Sequence, residues 1–130
     1  MWIMIGSILG FFAVAFGAFG AHALTGKVED RLIDVWRTGA SYQMYHALAV
    51  LAVGIIVLYA KQNANLVEVE KFAKISGWLF FVGTMVFSGS LYLMVISGVS
   101  ALGMLTPIGG VSLMAGWLCL GYAAILLNKP

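Results

Sequence analysis

Two histidines and a small set of amide and hydroxyl side chains are the residues of this sequence that could do chemistry. Tyr42 and His46 are four residues apart and Gln43 and His46 are three apart, so on a helix they share one face. Histidine can exchange a proton near neutral pH or ligate a metal or haem, and the other side chains can bind a polar ligand by hydrogen bonds. The candidate polar site consists of His22, Tyr42, Gln43, Tyr45, His46, Ser88, Ser90, Tyr92 and Thr106.

Three interpretations of this polar site remain open. The first is a hydrogen-bonded clamp that fixes the register of helices, since polar groups inside a membrane must be paired. The second is a binding or translocation site for a small solute or an ion. The third is a haem held by His22 and His46. Two histidines without a neighbouring Cys, Asp or Glu are too few for a metal site, so no metal is predicted.

Enzymatic activity finds no support in the residue pattern. No Asp or Glu lies in any of the apolar stretches, so acid–base chemistry there has no carboxylate. Ser88-Gly89-Ser90 resembles part of a nucleophile turn, but no Asp accompanies it and its context is a helix. We therefore predict a protein without catalytic residues and without a resident cofactor.

The composition distinguishes a membrane protein from a soluble one. Of the 130 residues, 62% are hydrophobic and 9% are charged, whereas a soluble domain is roughly half apolar and a quarter charged. This excludes a soluble globular enzyme and a disordered chain. A net charge of +2 from scattered basic residues argues against nucleic-acid binding, and a single cysteine excludes an internal disulfide. The sequence is that of an integral membrane protein.

The uncharged stretches indicate how many helices cross the membrane. Residues 1–26 and 38–60 carry no Asp, Glu, Lys or Arg, and each can supply one crossing of about 20 residues. The uncharged stretch 75–128 is long enough for two crossings, with a break at Ser97–Gly103 before Thr106-Pro107. We predict one all-α transmembrane domain, residues 1–130, with spans at about 2–23, 41–60, 75–96 and 107–127.

The apolar stretch at the beginning of the chain is predicted to be a retained helix. Ala21-His22-Ala23 resembles a signal-peptide cleavage site, but no Lys or Arg precedes the stretch and it is longer than a signal peptide. Lys61, Lys71, Lys74 and Lys129 lie on the side of the termini, against three basic residues on the other side. This count places the termini in the cytoplasm.

The connection between the first two spans has an amphipathic pattern. Val28, Leu32, Val35 and Trp36 fall on one face of a helix, and the charged residues of the segment fall on the other. The pattern predicts a short interfacial helix that lies flat on the membrane with Trp36 as its anchor.

Small residues recur at helical spacing in the first and fourth spans. Because lipid gives little hydrophobic drive between helices, such seams allow the close backbone approach on which packing depends. They predict a compact four-helix bundle and could equally serve self-association. The seams consist of Gly6, Gly10, Ala13, Gly17 and Gly20, and of Gly109, Ser112 and Gly116.

Four blocks of the sequence resemble the domain of unknown function 423 family, small bacterial inner-membrane proteins to which mitochondrial transmembrane protein 256 is similar. The blocks are residues 17–24, residues 42–49, residues 87–92, and residues 106–110 with Gly116-Trp117. The resemblance implies a four-helix membrane protein of the inner membrane without an established activity. It supplies no catalytic residues.

These observations lead to one principal hypothesis and two alternatives. The principal hypothesis is a non-enzymatic membrane protein that associates with itself or with a larger membrane complex through its glycine seams, with the lipid bilayer as its surroundings. The first alternative is a small-solute or ion binding or translocation protein with its polar site at the end of the bundle that holds the first loop. The second alternative is a haem-binding redox accessory protein.

Overall fold

The computed structural model describes residues 1–129, and all regular secondary structure within them is helical. Four helices are long and apolar enough to cross a membrane, which confirms the prediction of an all-α chain with four such helices. The elements are α1 (Trp2–Phe19), the π-helical turn Gly20–Leu24, α2 (Asp30–Lys61), the 3-10 turn Ala64–Leu66, α3 (Val67–Ser97), the 3-10 turn Ser100–Leu105, and α4 (Thr106–Leu127).

The second and third helices form the centre of the bundle. About half of the apolar window of α2 (50%) and of α3 (44%) is buried, against 22% for α1 and 17% for α4. Each helix packs mainly on its neighbours in the chain, so α1 lies on α2 and α4 lies on α3. The outer faces of α1 and α4 are therefore available to lipid.

The predicted interfacial helix is wrong. Residues 30–37 form the first turns of α2, which runs without interruption from Asp30 to Lys61. The Trp36 side chain is only 2% exposed, and its indole N–H donates a hydrogen bond of 2.6 Å to the carbonyl oxygen of Phe16 in α1. It lies in a small core with Tyr92 and Val95 of α3. Trp36 is thus a packing residue between helices and not a surface anchor.

The spacing of buried residues explains why α2 begins early. The buried positions of α2 follow one another at steps of three and four residues from the charged segment into the apolar one. A continuous stripe of this kind packs along a neighbouring helix without a break. The stripe includes Ile33, Trp36, Ala40, Gln43, Ala47 and Val50.

The break between the third and fourth helices has a local cause. Gly98 adopts a left-handed conformation (φ +71°), and its N–H bonds to the carbonyl oxygen of Met94 at 3.0 Å, which ends α3. Pro107 lies in the first turn of α4, where its missing N–H costs no helical hydrogen bond.

Both glycine seams are used for packing within the chain. A Cβ atom on Gly6 would lie 2.8 Å from Leu51 and 2.9 Å from the carbonyl oxygen of Ala47, so α1 approaches α2 closely at this point. A Cβ atom on Gly116 would lie 2.7 Å from the Phe80 ring of α3. Ser112 donates a hydrogen bond of 2.9 Å to the carbonyl oxygen of Leu79.

Other members of the seams contribute in different degrees. Ala13, Gly20 and Gly109 are buried, whereas a Cβ atom on Gly10 would meet only Ala47, at 3.8 Å. A Cβ atom on Gly17 would meet nothing within 4 Å. The buried members of the seams are covered by α2 and α3 and are not available to a second copy of the chain.

Candidate functional site

Gln43 connects three helices through its buried side chain, which is 3% exposed. Its amide nitrogen donates a hydrogen bond of 2.9 Å to the carbonyl oxygen of Leu9 in α1. Its amide oxygen accepts a hydrogen bond of 3.0 Å from the hydroxyl of Tyr92 in α3. Both ends of the amide are therefore satisfied away from water, as a polar group at this depth requires.

His46 connects α2 to α4. Its Nε2 accepts a hydrogen bond of 3.2 Å from the indole N–H of Trp117, and its Nδ1 lies 2.7 Å from the carbonyl oxygen of Tyr42. Because the indole N–H can only donate and the carbonyl oxygen can only accept, the imidazole carries its proton on Nδ1. Both ring nitrogens have protein partners, and the residue is 5% exposed.

The hydroxyl groups of the predicted site, together with that of Thr84, divide into two kinds. The Ser90 hydroxyl lies 2.8 Å from the Thr106 hydroxyl and donates to the carbonyl oxygen of Phe87 at 2.9 Å, which ties the end of α3 to the start of α4. The hydroxyls of Ser88 and Thr84 are buried and have no hydrogen-bond partner within residues 1–129.

Two predicted site residues face outward. Tyr42 is 40% exposed and Tyr45 is 59% exposed. The Tyr42 ring nevertheless stacks on Phe87 of α3, with 4.4 Å between ring centroids, so it forms part of a wall beside His46. Tyr45 makes no comparable contact with the buried polar groups within the described residues.

His22 is not brought to the other polar residues. It is exposed on the π-helical turn, where the neighbouring Gly20 packs against Trp36. Trp36 precedes His46 by ten residues of continuous helix, which is about 15 Å along the axis. His22 and His46 therefore lie at different levels of the bundle, and the pair is not arranged to hold one haem.

A groove opens between α2 and α4 at the level of His46. We call it the α2–α4 groove. Its volume is about 460 Å³. It faces the surface that lipid covers, because Trp117 is 50% exposed and Val111 is 60% exposed. Its walls are mainly aromatic and aliphatic, and His46 lies among them. The residues that line it are Tyr42, His46, Phe87, Pro107, Gly110, Val111, Leu113, Met114 and Trp117.

The arrangement suits hydrogen bonding and the binding of apolar groups. Within residues 1–129 there is no group of three His, Cys, Asp or Glu side chains that could hold a metal ion. Trp117 was not among the predicted site residues, although it supplies the hydrogen bond that positions His46. The sequence alone does not distinguish Trp117 from an aromatic residue that only faces lipid. Its role becomes visible when α2 and α4 are seen side by side.

The four apolar helices with inward polar side chains define a multi-pass α-helical membrane protein. A family model described as a protein of unknown function (DUF423) matches residues 16–110. The chain belongs to this family.

Two curated relatives cover nearly the whole chain. UPF0382 membrane protein YwdK of Bacillus subtilis (strain 168) is 40% identical over 125 residues, which is 96% of each chain. UPF0382 membrane protein SAB0533 of Staphylococcus aureus (strain bovine RF122 / ET3-1) is 42% identical over 120 residues, which is 92% of this chain and 91% of the relative. No solved structure matches the chain.

Proposed function

We propose that the chain is a non-enzymatic membrane protein that binds a lipid-soluble amphiphile in the α2–α4 groove. The observation that carries the proposal is a groove that is apolar and faces lipid except for the Tyr42 hydroxyl, and whose wall is fixed by the hydrogen bond between Trp117 and His46. Such a combination is typical of ligand sites, in which an apolar lining supplies affinity and a few polar groups fix orientation.

The chemistry of the groove indicates what kind of ligand fits. Tyr42, Phe87 and Trp117 offer aromatic surfaces on which a flat ring can stack. Tyr42 lines the groove and is 40% exposed, so its hydroxyl can serve a carbonyl or hydroxyl group of a ligand. The ligand class that matches is an apolar molecule with a ring and one small polar head, which enters sideways from the bilayer.

The hydrogen-bond pattern favours binding over translocation. The inward polar side chains already form hydrogen bonds within the protein, as Gln43, His46 and Ser90 show. A pathway for an ion needs polar groups that exchange partners along a continuous route. We therefore regard the clamp as the structural role of these residues and the groove beside His46 as the binding site.

A substitution that fills the groove tests the proposal. Gly110 lines the groove, and a Cβ atom there would meet only the Phe87 ring, at an ordinary 3.8 Å. We expect Gly110→Leu to place its side chain in the groove and to reduce the retained ligand at least tenfold. The measurement is mass spectrometry of small molecules extracted from protein purified in native-lipid discs.

The matched control is Gly121→Leu, on the same helix at a position where a Cβ atom meets nothing within 4 Å. This variant should retain the ligand at the wild-type level. Equal small-molecule content in wild type and Gly110→Leu, at equal protein recovery, would contradict the proposal.

Association with other chains is a second proposal, and we assign it to a surface other than the glycine seams. Since the buried seam residues are covered inside the chain, a partner has the outer faces of α1 and α4 available, where Phe11 is 68% exposed and Leu118 is 77% exposed. Native mass spectrometry of the protein in native-lipid discs gives the number of chains in each particle. A strictly monomeric particle without co-purifying proteins would contradict association.

We further propose that the protein lies in the bacterial inner membrane with its termini in the cytoplasm. Support comes from the basic residues at the end of the bundle that holds the beginning of α1 and the connection between α2 and α3. Lys61, Lys71, Lys74 and Lys129 lie there, against Lys27, Arg31 and Arg37 at the other end.

A further inference from the structure

The lining of the α2–α4 groove is suited to an uncharged ligand. Among the described residues that line it there is no Asp, Glu, Lys or Arg. A charged headgroup that entered the groove would lose its hydration without gaining an ion pair, which is costly inside a bilayer. The headgroup of a phospholipid and the carboxylate of a fatty acid therefore do not match this groove, and a neutral polar group does.

The shape of the groove suits a flat ring. Its volume of about 460 Å³ lies within the range of small-ligand pockets, about 300–1,000 Å³. Tyr42 and Phe87 stack with 20° between their ring planes and form one aromatic wall. Gly110 has no side chain, and an atom at its Cβ position would lie 3.8 Å from the Phe87 ring, which is ordinary van der Waals contact. A planar conjugated ring can pack against such a wall through its π system, which a puckered aliphatic ring lacks.

The Tyr42 hydroxyl indicates the polar part of the ligand. His46 and Trp117 also line the groove, but the Nε2 of His46 and the indole N–H of Trp117 are hydrogen-bonded to each other. The Nδ1 of His46 is bonded to the backbone of Tyr42. Tyr42 is 40% exposed, and its hydroxyl can donate to a carbonyl oxygen or accept from a hydroxyl group. A ring that carries a carbonyl or hydroxyl group satisfies this side chain.

The groove is also open along its length to a lipid-soluble tail. On α4 it extends from Pro107 to Trp117, which is about 15 Å along the helix axis. Val111 and Met114 lie between them and are 60% and 62% exposed, so a hydrocarbon tail can leave the groove sideways into the bilayer.

A neutral planar ring with carbonyl groups and a long apolar tail is the structure of an isoprenoid quinone. We infer that the α2–α4 groove binds the ring of an isoprenoid quinone, with a ring carbonyl oxygen that accepts a hydrogen bond from the Tyr42 hydroxyl. This inference rests on the proposed function, because it names the class of amphiphile that occupies the same site.

Equilibrium binding of two related ligands to the full chain in phospholipid discs tests the inference. The first ligand is a menaquinone with a short isoprenoid tail. The second is its naphthalene analogue, which has the same ring system and tail but no carbonyl oxygens. Native mass spectrometry measures the bound fraction, and we expect the menaquinone to bind severalfold more tightly than the analogue.

Tyr42→Phe keeps the aromatic wall and removes the hydroxyl. We expect it to weaken menaquinone binding about fivefold, the effect of losing one neutral hydrogen bond, and to change binding of the naphthalene analogue less than about twofold. The matched control is Tyr45→Phe, which removes a hydroxyl from a 59% exposed neighbour that does not line the groove. It should change neither affinity by more than about twofold, and circular dichroism checks that all variants are folded.

The results that overturn this inference differ from those that overturn the proposed function. Equal affinity for menaquinone and its analogue, or menaquinone binding that is unchanged in Tyr42→Phe, would overturn the quinone assignment. If Gly110→Leu still lowered the retained small-molecule content, the groove would hold a different neutral lipid and the proposed function would stand. If Gly110→Leu changed neither menaquinone binding nor that content, the proposed function would fail and the quinone assignment with it.

Discussion

Trp36→Ala is expected to lower the free energy of unfolding by about 3–5 kcal/mol, the range for removing a large buried aromatic side chain. The Trp36 ring packs against Phe16, Phe19 and Tyr92, with 4.6 Å between the centroids of Trp36 and Tyr92. The substitution also removes the hydrogen bond to the carbonyl oxygen of Phe16. Unfolding in detergent mixtures, followed by circular dichroism, gives the measurement.

The control for this prediction is Trp78→Ala. Trp78 lies on α3, is 51% exposed, and has an edge-to-face contact with Trp2. Its loss should cost no more than about 1.5 kcal/mol. If Trp36→Ala were as mild as Trp78→Ala, Trp36 would be a surface anchor after all and α2 would not continue as described.

Gly109→Ala is expected to destabilise the bundle by about 1–3 kcal/mol or more, since overpacking at a helix contact forces the backbones apart. A Cβ atom on Gly109 would lie 2.8 Å from the Cα of Phe87, and a backbone atom cannot move aside as a side-chain end can. Unfolding midpoints of purified variants under the same detergent conditions measure the effect.

Gly121→Ala is the comparison on the same helix. A Cβ atom at Gly121 meets nothing within 4 Å, so the substitution removes only backbone freedom and should leave stability equal or slightly higher. An equal loss of stability in the two variants would show that the contact between α4 and α3 at Phe87 is not the cause.

The number of helices could be predicted from charge alone. Burying a charged side chain in the bilayer costs free energy, so uncharged stretches of sufficient length indicate the membrane-spanning helices. The same reasoning separated the charged segment from the second span and made it an interfacial helix, whereas it forms the first turns of α2. Asp34 and Arg37 are exposed on the outer side of α2, while Ile33 and Trp36 continue its buried stripe. The spacing of buried positions was the better signal.

The early beginning of α2 also explains why His22 lies apart from the other candidate residues. With a second span that begins near residue 41, the end of α1 would face Tyr42 and His46. Since α2 begins at Asp30, the end of α1 faces Trp36 instead, and His22 is left apart. Gln43 and Tyr92 do meet at hydrogen-bond distance, and so do Ser90 and Thr106.

Partners of the polar residues could not be predicted for a different reason. Gln43 bonds to the backbone of Leu9, and His46 bonds to the backbone of Tyr42 and to an indole. Every residue has a carbonyl oxygen, so the sequence does not indicate which one accepts. Tyr45 directly precedes His46, which turns it about 100° away around the helix and explains its exposure.

The most direct test of the account is the tautomer of His46, measured by NMR of protein with ¹⁵N-labelled histidine. The chain has two histidines, so a His22→Gln sample assigns both signals. The account predicts that His46 carries its proton on Nδ1, and that Trp117→Phe shifts the Nε2 signal of His46 and leaves His22 unchanged. A proton on Nε2, or a His46 signal that does not respond to Trp117→Phe, would contradict the pairing of α2 with α4 and the binding site built on it.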